Sequence, residues 1–146
     1  MKNDDHMDRI FQEAVKAINE DDLKLARERL LTIILIYPDD SKIAAIYALL
    51  GQVCDDMDDL EAARENFEKA TELRPDYEMP SQGLHYMYAD LGHHEKAFLE
   101  MKRYLDSYPA KLYKETLQDL LHDLKNGHMA AYSEEIIALA VKNGVF

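Results

Sequence analysis

Residues 60–75 read LEAARENFEKATELRP, and the placement of five of these residues decides the fold. Leu60, Ala63, Phe67 and Ala70 lie three or four positions apart, so they share one face of a helix, which Pro75 then stops. The same offsets recur on either side. Leu23, Ala26, Leu30, Ile33 and Pro38 form an earlier frame, and His94, Ala97, Met101, Tyr104 and Pro109 a later one. Pro38 precedes Pro75 by 37 positions and Pro75 precedes Pro109 by 34, which places a three-residue insertion in the D-D-S-K that follows Pro38. Proline lacks an N–H and biases the residue before it away from the α region, so Tyr37, Arg74 and Tyr108 are expected helix ends. The small Ala26, Ala63 and Ala97 let a neighbouring helix approach closely, and each unit reads as two antiparallel helices.

Composition agrees with this reading. The chain has 146 residues, 47% of them apolar, with five Gly and four Pro, so it is long enough to bury a core and has little material for hairpins. We expect an all-α protein. Its net charge of -12 repels nucleic-acid phosphates and anionic lipids, so neither is an expected partner. A single cysteine, Cys54, excludes an intrachain disulfide and a cysteine-based zinc site. The start, M-K-N-D-D-H-M-D, carries no apolar stretch behind a basic one, and no segment reaches the ~18 apolar residues of a membrane span. A cytoplasmic location is the expectation.

The repeated frame resembles the tetratricopeptide repeat family, whose unit is a 34-residue helix-turn-helix. The middle unit carries the likeness most fully, with Tyr47, Leu50-Gly51, Leu60, Ala63, Phe67, Ala70 and Pro75 in register. The flanking units depart from it, with Ala14 and His85 where the family prefers Gly and His94 where it prefers an aromatic. The resemblance implies one right-handed superhelical solenoid of antiparallel helix pairs, about seven or eight helices in all. The repeats fall near residues 7–40, 44–77 and 78–111, and residues 112–146 form a degenerate capping pair. In that pair, Tyr113, Leu117, Leu120, Leu121 and Leu124 form one expected apolar face, Asn126-Gly127 the break, and Ala131, Ile136, Ile137, Ala140 and Val141 the other face.

The resemblance also implies a concave groove lined by the first helix of each pair. Projected onto this sequence, its positions are Phe11, Val15 and Ile18; Ala45, Ala48, Leu49 and Gln52; and Met79, Gln82, Gly83 and Tyr86. One subset of the family clamps acidic chaperone tails with Lys, Asn and Arg. The corresponding positions here are Phe11, Val15, Leu49, Met79 and Gly83, none able to hold a carboxylate. An apolar strip suits an apolar peptide or helix instead. The competing reading covers Phe11, Val15 and Ile18 with the N-terminal residues or with a second subunit.

Acidic residues gather near the ends of the first helices: Glu20-Asp21-Asp22, Asp55-Asp56, Asp90 and Asp123. Negative charge there opposes the helix dipole. Asp55, Asp56 and Asp90 are therefore candidates for an acidic rim that steers a partner whose apolar anchor is flanked by basic residues; solubility charge is the plainer reading. The dense stretch C-D-D-M-D-D-L, residues 54–60, falls on the turn of the middle unit, where Asp59, or Asp58 with Glu61, is placed to cap the second helix. It lacks the alternating carboxylates and Gly of a calcium loop. Six histidines show no H-E-x-x-H, the adjacent His93-His94 point about 100° apart, and His85, His122 and His128 stand alone. No phosphate-binding or nucleophile-elbow motif occurs. We expect no catalytic residue, no metal and no cofactor.

The expected function is a non-enzymatic interaction module, an adaptor or small chaperone similar to the tetratricopeptide chaperones of bacterial secretion systems. Two further readings are an acidic immunity or antitoxin-type protein covering a basic partner, and a self-assembling scaffold or homodimer.

Overall fold

The computed structural model describes residues 2–127 and 129–145; His128 lies outside them. Among the described residues there are eight α-helices and no strand. They are α1 (Lys2–Asn19), α2 (Leu23–Ile36), α3 (Ile43–Asp56), α4 (Leu60–Leu73), α5 (Glu78–Asp90), α6 (His94–Ser107), α7 (Tyr113–Lys125) and α8 (Ser133–Lys142), with a 3-10 turn at Ala130–Tyr132 before the last. Through α6 each helix packs on the next in sequence, α3 also touches α5, and α7 pairs with α8. Together they make an all-helical solenoid.

The turn inside each of the first three pairs is built identically. Asp21, Asp58 and Gly92 occupy the same place in the frame, and all three take the left-handed conformation, at φ 59°, 61° and 84°. The next N–H then reaches back five residues to a helix carbonyl: Asp22 to Ala17 at 2.8 Å, Asp59 to Cys54 at 2.9 Å and His93 to Tyr88 at 2.7 Å. This satisfies a carbonyl that the helix end leaves open, and Asp tolerates the left-handed region better than most residues with a Cβ. Asp22 and Asp59 also cap the following helices, accepting from the N–H of Leu25 at 3.3 Å and of Ala62 at 3.2 Å. His93 makes no such side-chain bond. The aspartates of residues 54–60 are thus divided between a left-handed turn at Asp58 and a cap at Asp59. The insertion after Pro38 lengthens the next connection: α3 starts five positions after Pro38, whereas α5 starts three after Pro75.

Phe67 is the centre of the packing. It is 1% exposed, and an added Cβ at Gly51 of α3 would stand 2.7 Å from its ring, one at Gly83 of α5 2.8 Å. Real Cβ atoms do not approach so closely, so both glycines are there to admit the ring. Ala26, Ala63 and Ala97 are buried, as are Leu30, Ile33, Ala70, Met101 and Tyr104 of the three frames. The apolar interior falls into two clusters. One joins α1 to α5 around Leu30, Leu50 and Phe67; the other joins α6 to α8 around Phe98, Leu105, Tyr113 and Ile136.

The C-terminal pair departs from its expected pattern. Tyr113, Leu117 and Leu120 are buried on α7, but on α8 the buried face is Ile136, Leu139 and Ala140. Ile137 and Val141 are 43% and 58% exposed, and Ala131 is exposed in the 3-10 turn. Helix α8 has ten residues, and no repeat frame fixed its rotation.

Candidate functional site

The projected groove positions lie on α1, α3 and α5. On α1, Phe11, Val15 and Ile18 are half-buried. On α3, Ala45 is exposed, Leu49 and Gln52 are half-buried, and Ala48 is buried. On α5, Met79, Gln82 and Gly83 are half-buried and Tyr86 is 36% exposed. Phe11, Ile18, Leu49 and Met79 lean on one shared core. Ala48 offers almost no surface, and the Cβ direction of Gly83 points at Phe67. Gln52 donates to Asp56 at 3.1 Å.

Gln82 and Tyr86 are engaged by α7. The Gln82 amide donates to the Leu112 carbonyl and to the Thr116 hydroxyl, both at 3.1 Å, and the Tyr86 hydroxyl lies 2.9 Å from that of Thr116. A second set of bonds fastens the same helices more deeply. Glu78 accepts from the N–H groups of Lys111 at 2.8 Å and Tyr113 at 3.1 Å, so one carboxylate stands at the start of both α5 and α7. Ser81 donates to Glu100 at 2.7 Å and lies 2.8 Å from the Tyr113 hydroxyl. Glu100 in turn receives two bonds from Arg103, at 2.7 and 2.9 Å. Burial pushes the Tyr113 phenol well up, which keeps it neutral.

The proposed rim residues share an electrostatic environment. Asp55 has its carboxyl raised, first by burial and then by the charges of Asp56, Asp90 and Asp58, so the ends of α3 and α5 act on one another. Among the described residues none of Asp55, Asp56 and Asp90 has a Lys or Arg partner, while Arg64 and Arg103 serve Glu61, Glu68 and Glu100 elsewhere. The raised Asp55 pKa fixes a sign. Folding disfavours the ionised form, so the cost is fully present above the folded pKa and disappears as pH falls below the unfolded value near 3.8. Asp55→Asn should therefore raise the melting temperature near pH 7, and the gain should vanish near pH 3 in thermal unfolding. Equal gains at both values would contradict the repulsion.

Between α5 and α7 lies a cavity of about 490 Å3. Ala89, Ala97, Leu120 and Met129 give it an apolar lining, and Asp119 and Asp123 of α7 carry carboxylates to it. His85 lines it too although it is only 5% exposed. Its Nδ1 lies 2.7 Å from the Ala97 carbonyl, which only accepts, so Nδ1 bears the proton. Burial pushes its pKa down and keeps the ring neutral. Cys54 is buried, and burial followed by the nearby Asp59 raises its thiol, so it remains protonated and packs as a small apolar residue. Among the described residues no three His, Cys, Asp or Glu side chains gather closely enough to hold a metal ion, and no helix is long and apolar enough to cross a membrane.

The tetratricopeptide repeat family model matches residues 44–77, the stretch that holds α3, its left-handed turn and α4. Residues 44–77 are a tetratricopeptide repeat. The whole chain also has the fold of solved tetratricopeptide proteins. It is 19% identical to one from Parabacteroides merdae ATCC 43184, with a TM-score of 0.77 over 93% of this chain and 52% of that one. A crystal structure of MamA gives 17% identity and a TM-score of 0.75, covering 94% of this chain and 78% of that one; another gives 22% and 0.62, covering 68% and 53%. The chain thus spans about half the length of the first of these structures. No curated protein matches it.

Within the tetratricopeptide frame, Thr116, Asp119 and Leu120 were not singled out from sequence as site residues, because α7 follows no repeat spacing. The signal that could have found them is the i,i+4 pair Asp119 and Asp123, which places two carboxylates on one helix face.

Proposed function

We propose that this protein is a non-enzymatic adaptor or small chaperone that holds an apolar segment of a partner protein against α1, α3 and α5. The fold supports a protein-binding role in general, because stacked helix pairs present an extended inner face. The observation that carries the specific reading is the half-exposed apolar row Phe11, Val15, Ile18, Leu49 and Met79, combined with rim carboxylates that have no basic partner among the described residues. Such a face suits an apolar peptide or helix with Lys or Arg beside it.

Capture of partners from the source lysate, compared between wild type and Leu49→Arg, tests the apolar row. Capture should be lost while the circular dichroism spectrum stays helical, since Leu49 is not fully buried. Undiminished capture would remove the reading. Raising salt from 0.1 to 1 M shortens the screening length from about 10 Å to about 3 Å. Weaker capture at high salt supports the steering role of Asp55, Asp56 and Asp90, and salt-independent capture removes it. If rim substitutions abolish capture and Leu49→Arg does not, the acidic neutraliser reading replaces this one.

A further inference from the structure

We propose that the cavity between α5 and α7 is a socket for an arginine side chain of a bound protein. The inference deepens the protein-binding reading, on which it rests for the source of the arginine. Its argument begins at His85. The Ala97 carbonyl fixes the proton on Nδ1, so Nε2 is left with a lone pair, and among the described residues nothing donates to it. Nor is it among the enclosed polar atoms that lack a partner, so it keeps an opening, and the ring lines the cavity. A histidine held 95% out of solvent therefore offers an acceptor to whatever enters.

The other groups in the cavity have matching chemistry. Asp119 and Asp123 lie one helical turn apart on α7, and neither has an ion-pair or hydrogen-bond partner among the described residues. Ionised carboxylates only accept, so together with Nε2 they place three acceptor groups on a lining that also holds His94 of α6 and Thr116 of α7. A guanidinium supplies five N–H donors in a planar fork and remains charged, whereas an ammonium supplies three around one point. Acceptors spread over two helices favour the fork. Ala89, Ala97 and Leu120 give the three-carbon stem an apolar wall, and Tyr86 lines the cavity as well. The size, about 490 Å3, lies within the usual range of ligand cavities. A bare metal ion is a poor occupant, because among the described residues no three His, Cys, Asp or Glu side chains gather closely enough to hold one.

The test uses the whole chain labelled with 15N and titrates it with N-acetyl-arginine methylamide, and separately with the citrulline analogue, which has the same shape without the charge. The arginine compound should give saturable shifts at the amides of Ala89, Ala97 and Leu120 and at the His85 ring. Citrulline, and arginine added to Asp119→Asn/Asp123→Asn, should bind about tenfold more weakly or not at all, the loss expected for charge-assisted bonds. Both aspartates are at least partly exposed, so a dispersed spectrum will certify that the double variant is folded. Equal shifts from citrulline, unchanged affinity in the double variant, or no shift from arginine would each overturn the socket. None of these outcomes bears on the Leu49→Arg experiment, so failure of the socket and failure of the apolar row are separable.

Discussion

Phe67→Ala lowers the unfolding free energy by about 3–5 kcal/mol, the range for deleting a buried aromatic side chain, and we expect the upper half of it. The ring is 1% exposed and is flanked by Gly51 and Gly83, neither of which has a side chain that can rotate into the space. Helices α3 and α5 would have to move bodily to close the void. Typical domains have about 5–15 kcal/mol of stability, so this single change removes a large share. The complementary change is equally informative. Gly51→Ala improves helix propensity by about 1 kcal/mol but drives a Cβ to within 2.7 Å of the ring, and overpacking costs about 1–3 kcal/mol. It should therefore destabilise the wild type and rescue part of the loss in Phe67→Leu. Urea unfolding of the four chains in a double-mutant cycle measures the coupling. Additive effects would show that the glycines do not owe their presence to the ring.

Glu78→Ala should cost about 1.5–3 kcal/mol, the worth of hydrogen bonds to a charged group, and its effect should concentrate in α7 and α8. Its carboxylate is buried between α5 and the start of α7, where it holds the N–H groups of Lys111 and Tyr113. Leu112, the residue before α7, supplies no side-chain cap of its own. Without Glu78, those N–H groups lose their acceptor and the positive end of the α7 dipole loses its counter-charge. Hydrogen exchange should accelerate from Tyr113 through the α7 amides while α1–α4 keep their protection. Glu78→Gln, which retains an oxygen acceptor but not the charge, should lose less. Uniform acceleration across the chain, or equal losses in both variants, would refute a local strap. Because α7 forms one wall of the cavity, loosening it should also weaken the arginine socket.

Helix pairs, turns and caps were legible in the sequence because each is set over one or two helical turns. Leu60, Ala63, Phe67 and Ala70 declare a buried face by spacing alone, and the Asp21, Asp58 and Gly92 positions declare a turn by recurring in the frame. Asp59 was readable as a cap for the same local reason. The candidate site was legible only in part. Gln82 and Tyr86 projected onto the inner face, but α7 takes up their polar atoms, and that contact joins residues 30–34 positions apart. Ile137 and Val141 were expected inside and lie outside, because α8 has no repeat from which to read its rotation.

The sequence by itself therefore determined an all-helical stack, the place of its turns and which side of each repeated helix faces inward. Periodicity and proline spacing encode those features without reference to a partner helix. Only the tertiary structure decided which distant groups meet. It brought Asp55 under the charge of Asp90, seated Glu78 at the start of α7, and fixed the proton on His85 Nδ1 against Ala97. Each of these depends on the angle and register at which separate helices pack, and side-chain period along one helix carries no information about either.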